Sequence, residues 1–208
     1  MQFKDFLANI NHLKSRPLGG LEAQFKLAPA LRLGYDSKKI EANNPKKAAV
    51  LALFYPNESG EATILLTQRA SYKGTHSAQI SFPGGKIEEQ DNSLFETAIR
   101  EANEEVGVIK ESIVKIREIT DVYIPPSNFL ATPFIAYTEN RPTFILNEEV
   151  ASTIEVKVTE LLDDSNVDSV LMNTSYMKEV SVPCFRLREH IVWGATGMML
   201  SEIKEMLK

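Results

Sequence analysis

The side chains in this sequence that are best suited to chemistry are three closely spaced glutamates, Glu101, Glu104 and Glu105. On a helix, residues three and four positions apart are neighbours, so these carboxylates would share one face and repel one another. Carboxylate oxygens are ligands that Mg²⁺ and Mn²⁺ prefer, and these ions in turn hold phosphate oxygens. The cluster therefore indicates either a divalent-metal site or an ordinary acidic face exposed to water.

Two neighbouring features favour the metal site. Arg100 adjoins the glutamates and follows Glu96 by one helical turn, so we expect an ion pair between Arg100 and Glu96 to brace the cluster. Gly84 and Gly85 precede the helix, and glycine allows backbone carbonyl oxygens to approach an ion closely. Both features are expected at a metal centre, whereas a solvated acidic face requires neither.

The sequence around the glutamates predicts a helix over residues 94–106. Ser93 and Glu96 have the spacing of an N-terminal capping box, and Gly107 stands where a left-handed C-terminal cap belongs. One face of this helix is apolar and must pack on a sheet. That face consists of Phe95, Ala98, Ile99, Ala102 and Val106.

Short apolar runs on both sides of the helix predict the strands of that sheet. Residues 48–55 and 62–68 are expected to form two buried strands joined by a turn. The other predicted elements are strands near 80–82, 113–124, 131–138, 153–158 and 178–187, and an amphipathic helix from about 196 to the end. This order indicates an α/β domain with helices on both faces of a mixed sheet.

The N-terminal region differs in character from the rest. Apolar residues recur at helical spacing over residues 2–14, and a linker-like stretch follows from Arg16. Residues 41–45 mark the entry to the main domain. We therefore divide the chain into an N-terminal helix and linker, residues 1–44, and a main domain, residues 45–208.

Charge and composition limit the kinds of molecule that this protein is expected to bind and the compartment in which it is expected to lie. The 208 residues carry a net charge of −5, which argues against binding to nucleic acid or to anionic membranes. The single cysteine, Cys184, cannot form an internal disulfide, so we expect a cytoplasmic protein. The longest apolar run, residues 48–55, is too short to cross a bilayer, and the first residues lack the features of a signal peptide.

Residues 85–108 resemble the Nudix box, whose core is an Arg-Glu-x-x-Glu-Glu-x-Gly run that follows a glycine. Here the run is intact over residues 100–107. The stretch from Gly85 to Arg100 is one residue longer than the commonest spacing, and Asp91 stands where a glutamate is usual. The resemblance implies a Nudix α/β/α sandwich, to which the N-terminal helix is added, and a pyrophosphohydrolase that uses Mg²⁺ or Mn²⁺.

The longer spacing is similar to that of the coenzyme A diphosphatase branch of this family. The other stretches that resemble the branch are residues 65–70, 82–85, 123–129, 132–134 and 190–196. Where the branch usually has an arginine and a glycine, this chain has Gly74 and Ala78, with Lys73 beside the first. The resemblance implies that coenzyme A or an acyl-CoA is cleaved to 3′,5′-ADP and a phosphopantetheine.

Site roles follow from the cluster and the resemblance together. Glu101 and Glu105 are the expected primary metal ligands, with the backbone carbonyl oxygen of Gly85 as a further ligand. Glu104 either completes the metal site or acts as general base. The cations expected to bind the phosphates of the substrate, including the 3′-phosphate of coenzyme A, are Arg69 and Lys73.

Several alternatives remain open at this level. The substrate could instead be ADP-ribose, NADH or another dinucleotide, or the chain could be a catalytically silent module that senses a nucleotide. The intact run of residues 100–107 argues against the silent module. Glu148 and Glu149 are either surface residues or an extra carboxylate, and Trp193 either packs in the core or stacks on a base. The N-terminal helix packs on the main domain or on a partner subunit in a homodimer.

Overall fold

The computed structural model of the chain describes residues 1–70, 79–173 and 179–208. Its main sheet contains β1 Lys46–Pro56, β2 Ala62–Arg69, β3 Ile80–Ser81, β4 Gly84–Lys86, β5 Val114–Glu118, β6 Val122–Ile124, β7 Phe129–Tyr137 and β8 Val150–Lys157. A smaller sheet contains β9 Val167–Met172, β10 Val180–Leu187 and β11 His190–Trp193. The α-helices are α1 Phe3–Ala8, α2 Ile10–Ser15, α3 Gly20–Phe25, α4 Ala30–Leu33, α5 Ser37–Ala42, α6 Leu94–Val106, α7 Val158–Leu162 and α8 Gly194–Leu207.

The main sheet is mixed and is organised around β1. This strand pairs in parallel with β7 from Lys46 opposite Phe129 to Phe54 opposite Tyr137. It pairs antiparallel with β2 at its end and with the short strand β4 near its beginning. Strand β4 therefore leads directly from the centre of the sheet towards α6, whose N-terminal residue lies eight positions after Lys86.

The side chains of β1 alternate between two buried layers, which makes the fold a three-layer α/β/α sandwich. One layer joins Ala49, Leu51 and Leu53 of β1 to Ala98, Ala102 and Val106 of α6. The other layer joins Ala52 and Phe54 of β1 to Phe6 of α1 and to Leu200 and Ile203 of α8. The predicted fold class, with a mixed central sheet and helices on both faces, is confirmed.

The N-terminal region contains more helices than predicted. The helix expected over residues 2–14 is divided at Asn9, whose side-chain amide donates to the Asp5 carbonyl oxygen at 2.8 Å. An asparagine amide competes in this way with the helical backbone bonds. Helices α3, α4 and α5 occupy the stretch described above as linker-like. The boundary between residues 44 and 45 stays a prediction.

The remaining differences concern short strands with weak sequence signals. The single strand predicted near 113–124 is divided into β5 and β6. Strand β4 has the sequence Gly-Gly-Lys, which carries no strand propensity, and most side chains of β9 are exposed, so no apolar alternation marks it. None of the helices in the described ranges is both long and apolar enough to span a membrane.

The buried carboxylate of Glu202 ties the N-terminal region to the sandwich. This side chain, on α8, accepts hydrogen bonds from the Gly20 backbone at 3.0 Å and from the Gln24 amide at 2.8 Å. It also accepts one from the Thr120 hydroxyl at 2.7 Å, in the turn between β5 and β6. Helix α3 is therefore fixed against both α8 and the sheet.

We predict that Phe6→Ala destabilises the whole chain rather than α1 alone. Phe6 is almost fully buried, and its ring stacks on that of Phe54 with centroids 4.7 Å apart. A cavity of this type costs about 3–5 kcal/mol of unfolding free energy. Urea unfolding followed by circular dichroism should give one cooperative transition at a lower midpoint. Leu18→Ala, in the same region but exposed, is the control and should change stability by less than about 0.5 kcal/mol. Two separate transitions would show that the N-terminal region folds independently.

Candidate active site

The close crossing of β4 over β1 builds one side of the candidate site. Gly84 has φ +154°, and a Cβ at this position would lie 2.6 Å from the Cα of Val50, closer than real Cβ contacts allow. Only glycine is accommodated there without displacing a backbone. As a result the Gly84 backbone N–H points towards α6, where it donates to the Glu105 carboxylate at 3.1 Å.

Glu105 is buried, with only 5% of its surface exposed. The pKa of Glu105 is raised to about 7, mainly by burial and also by the negative charges of Glu101 and Glu149. The Gly84 N–H and the positive charge of Arg69 act in the opposite direction. The carboxylate therefore lies where its ionised form is destabilised, and a nearby cation would favour that form.

Glu101 lies one turn before Glu105 and packs over Gly85. A Cβ on Gly85 would lie 2.5 Å from the Cδ of Glu101, so the absence of a side chain brings this carboxylate against the β4 backbone. Burial raises the pKa of Glu101; Arg100 opposes this, whereas Glu104 and Glu149 add to it. The structure thus brings Glu101, Glu105 and Gly85 together, as the sequence predicted.

Arg100 joins the carboxylates to the loop before α6. Its guanidinium donates to Glu101 at 3.0 Å, to Glu104 at 3.2 Å and to the Lys86 carbonyl oxygen at 3.2 Å. Two further bonds of 2.9 Å run to the Asp91 carboxylate. Glu104 is the most solvent-exposed of the three glutamates, with 52% of its side chain accessible.

The expected ion pair between Arg100 and Glu96 is absent from the described residues. Glu96 instead accepts from the backbone N–H and the side-chain amide of Asn92 at 2.9 and 2.8 Å. The capping box is therefore half formed, since Ser93 accepts from the Glu96 N–H as predicted while Glu96 caps Asn92. The physical reason is competition for partners: Asn92 donates twice to Glu96, and the Arg100 guanidinium is held on the loop side by two bonds to Asp91.

Asp91 is the site residue whose role the sequence left undefined. It accepts two bonds from Arg100, one from the Thr97 hydroxyl at 2.9 Å and one from the Glu88 N–H at 2.9 Å. The hydrogen bonds from Arg100 hold the pKa of Asp91 well below its ordinary value. The contact between Asp91 and Arg100 could not be predicted from the sequence, because it crosses a loop and no helical periodicity relates the two residues.

Arg69, at the end of β2, lies at the other side of the glutamates. Its guanidinium donates to Glu149 at 3.1 Å and lies 4.0 Å from the Glu105 carboxylate. Glu149 thereby lies beside the charged cluster, and its role as an extra carboxylate of the site stays a prediction. Lys73, the second predicted phosphate ligand, lies outside the described residues.

The acidic side chains suit a hard divalent cation, although they are not all converged on one point. Among the residues that the structure describes, no three acidic, His or Cys side chains come close enough to hold one ion. Glu101 and Glu104 both accept from the same nitrogen of Arg100 instead. Burial raises the pKa values of both Glu101 and Glu105, and the charge of Glu101 adds to the effect at Glu105, so a divalent cation beside them would favour their ionised forms. Oxygen donors of this kind match Mg²⁺ or Mn²⁺.

A largely apolar cavity of about 380 Å³ adjoins this cluster on the opposite face of the sheet. Arg69, Gly84 and Gly85 form its edge next to the carboxylates. The apolar part of its wall includes Ile80, Phe82, Ile124, Phe129 and Trp193. This volume lies in the range of small-molecule sites, and Trp193, considered above as either a core or a stacking residue, lines it.

Comparison with known proteins agrees with this geometry. Residues 45–173, more than half of the chain, match the family model described as NUDIX domain. An uncharacterised Nudix hydrolase NudL of Yersinia enterocolitica is 39% identical over 103 residues, which cover 49% of this chain and 52% of the relative. Nudix hydrolase 22, chloroplastic, of Arabidopsis thaliana is 30% identical over 163 residues, covering 75% and 53%. The chain thus spans about half the length of these relatives.

A solved structure supports the fold. The MutT/nudix family protein from Enterococcus faecalis superposes with a TM-score of 0.53 at 14% identity, over 78% of this chain and 62% of that one.

We predict that Glu105→Gln stabilises the metal-free protein, and more so at higher pH. The folded pKa of Glu105, about 7, exceeds the ordinary value of 4.5, so the folded state holds the proton more tightly and loses stability as pH rises between these values. The stabilisation should therefore grow by about 2 kcal/mol between about pH 5.5 and about pH 8. Chemical unfolding of variant and wild type in excess chelator measures this difference in unfolding free energy. Because both proteins share the other titrating groups, the pH dependence of those groups cancels in the comparison. A gain that is the same at both pH values would contradict the shifted pKa.

Proposed function

The chain belongs to the Nudix hydrolase family, and from that premise we propose that it hydrolyses the diphosphate linkage of coenzyme A or an acyl-CoA with the help of Mg²⁺ or Mn²⁺. The observation that carries the chemistry is the pair of carboxylates formed by the half-buried Glu101 and the buried Glu105, set against the Gly84–Gly85 backbone at the edge of a large apolar cavity. The products would be 3′,5′-ADP and a phosphopantetheine or its acyl derivative.

In this proposal Glu101, Glu105 and the carbonyl oxygen of Gly85 hold the cation. A bound divalent ion polarises phosphate oxygens, lowers the pKa of water and neutralises charge on the leaving phosphate. The packing of α6 on the sheet buries Glu105 and half-buries Glu101, which limits the positions that their carboxylates can adopt.

Glu104 is the proposed general base. More than half of its side chain is exposed, and one carboxylate oxygen is held by Arg100. The group can therefore accept a proton from the attacking water at its other oxygen and release that proton to solvent. Arg100, which Asp91 holds from the loop side, orients the carboxylate and limits its rotation.

Arg69 is the proposed ligand of the diphosphate. Its guanidinium lies beside Glu105 and Glu149 and also lines the cavity, so it can offer two donors to phosphate oxygens at the boundary between the two regions. Lys73 remains a proposed second ligand from the sequence.

The apolar cavity supports a substrate that has substantial parts on either side of its diphosphate. Aromatic and aliphatic side chains suit an adenine ring or a pantetheine arm, whereas a simple inorganic diphosphate needs no such surface. Coenzyme A is favoured by the stretches that resemble the coenzyme A diphosphatase branch. ADP-ribose and NADH are the alternative substrates.

We predict that purified protein hydrolyses coenzyme A in the presence of Mg²⁺ or Mn²⁺ in preference to ADP-ribose, NADH and nucleoside triphosphates. Excess chelator should abolish turnover, and Ca²⁺ should not restore it because calcium is larger and tolerates irregular coordination. Chromatographic separation of 3′,5′-ADP measures the reaction. A preference for ADP-ribose would reject the proposed substrate but not the hydrolysis, whereas failure on the whole panel would favour a nucleotide-sensing module.

We also predict that Glu101→Gln, Glu104→Gln and Glu105→Gln each lower kcat by at least about a hundredfold, the scale on which lost electrostatic or acid–base groups are felt. Glu96→Gln is the matched control, because it makes the same change on the same helix outside the cluster, and it should retain near-normal turnover. Circular dichroism checks that all four variants fold. Near-normal kcat in the three cluster variants would reject the proposed site.

A further inference from the structure

A buried arginine in the N-terminal region has no acidic partner. Arg32 lies on α4 and is 4% exposed, yet no carboxylate within the described ranges forms an ion pair with it. Its guanidinium donates to the Tyr35 carbonyl oxygen at 2.8 Å and lies 5.3 Å from the centroid of the Phe25 ring. Its Nε is buried without a hydrogen-bond partner. Buried charges are normally paired, so this cation lacks the anion that its setting requires.

Arg32 lines a small cavity that adjoins the large one. The cavity has a volume of about 50 Å³, several times the roughly 10–15 Å³ that a cavity must offer one water molecule. It shares four lining residues with the apolar cavity, namely Ile124, Trp193, Gly194 and Ala195. A ligand in the large cavity could therefore reach Arg32 past a common wall.

The sheet sets the distance between this cavity and the carboxylates. Strands β4, β1, β7 and β6 are successive neighbours, and the pairing brings Val50 opposite Gly84 and Ile124 opposite Phe129. Three strand spacings separate β4 from β6, and these two points also lie four positions apart along β7, so the distance between them exceeds about 14 Å. This span exceeds the length of a diphosphate alone, so a group that reaches Arg32 must belong to another part of the substrate.

From these observations we infer that Arg32 forms a second anion-binding subsite, which takes a phosphate monoester or carboxylate that the substrate carries away from its diphosphate. The inference rests on the proposed function in assuming a nucleotide substrate, and it names a recognition element outside residues 45–173, the part of the chain that matches the family model. The burial that lowers the pKa of Arg32 would be offset when an anion binds. On coenzyme A the group is the 3′-phosphate, which the sequence alone assigned to Arg69 and Lys73; on some acyl-CoA compounds it is a carboxylate at the end of the acyl chain.

Binding can be measured without catalysis because Trp193, the single tryptophan of the chain, lines both cavities. Its fluorescence should report titration of the full chain with adenosine 3′,5′-bisphosphate and with 5′-AMP, which lacks the 3′-phosphate. We expect wild type to bind the bisphosphate about ten- to a hundredfold more tightly, the usual scale of a charge-assisted contact. Arg32→Gln, which keeps a donor near Tyr35 but removes the charge, should lose this preference and leave the affinity for 5′-AMP unchanged.

Two further variants distinguish the loss of positive charge at Arg32 from a general effect of the substitution on folding. Arg32→Lys keeps the charge and should retain part of the preference, even if Arg32→Gln folds poorly. Arg186→Met removes an exposed arginine of the smaller sheet and should retain all of it. If wild type shows no preference for the bisphosphate, hydrolysis of succinyl-CoA against butyryl-CoA tests the carboxylate source. The inference is overturned if neither preference exists or if neither depends on Arg32.

The same measurements distinguish this inference from the proposed function. An Arg32-dependent preference in binding, in a protein that does not hydrolyse coenzyme A, would keep the subsite and reject the substrate. The opposite outcome would keep the proposed substrate and reject the subsite. In that case the protein hydrolyses coenzyme A, Arg32→Gln discriminates against dephospho-CoA as well as wild type does, and the succinyl group binds independently of Arg32.

Discussion

Arg100 is the residue that allows several negatively charged side chains to lie close together on α6. Glu101 and Glu104 would repel each other on an isolated helix, and here a single guanidinium donates to both. That guanidinium is itself fixed from the loop by two bonds to Asp91. Since one rigid, planar group satisfies three carboxylates from different directions, the orientation of α6, the path of the preceding loop and the position of β4 are coupled through it.

The glycines of β4 allow one ligand to contact both the acidic cluster and the apolar cavity, which lie on opposite faces of the sheet. Any side chain on Gly84 or Gly85 would meet β1 or Glu101. Because these residues have none, backbone alone separates the carboxylates from the cavity, and Arg69 reaches both. A diphosphate placed at this edge would meet acidic residues on one side and aromatic residues on the other.

Sequence signals of different range explain which parts of this arrangement were predictable. Helix α6 was predicted with its bounds because its capping serine, its apolar face and Gly107 are local features. The role of Asp91 and the true partner of Glu96 depend on how a loop folds back on the helix, which no periodic pattern records. Strand β4 was missed because its residues have the propensities of a turn, although the glycines themselves were recognised as important. The burial of Arg32 was not predicted, since arginine side chains are normally exposed.

Two buried charged side chains, Glu202 and Arg32, lie where the N-terminal helices pack on the rest of the chain, and they differ in how many hydrogen-bond partners they have. Glu202 is fully buried, but two groups of α3 and two of Thr120 donate to it, so its desolvation is offset and its role in joining α3 to the sandwich is explained. Arg32 lies in the same junction with one backbone acceptor and an aromatic ring. A purely structural role would be met at least as well by an uncharged side chain. Because Arg32 is much less fully satisfied than Glu202, we propose a ligand at Arg32, and with such a ligand the N-terminal region would serve substrate recognition as well as the core.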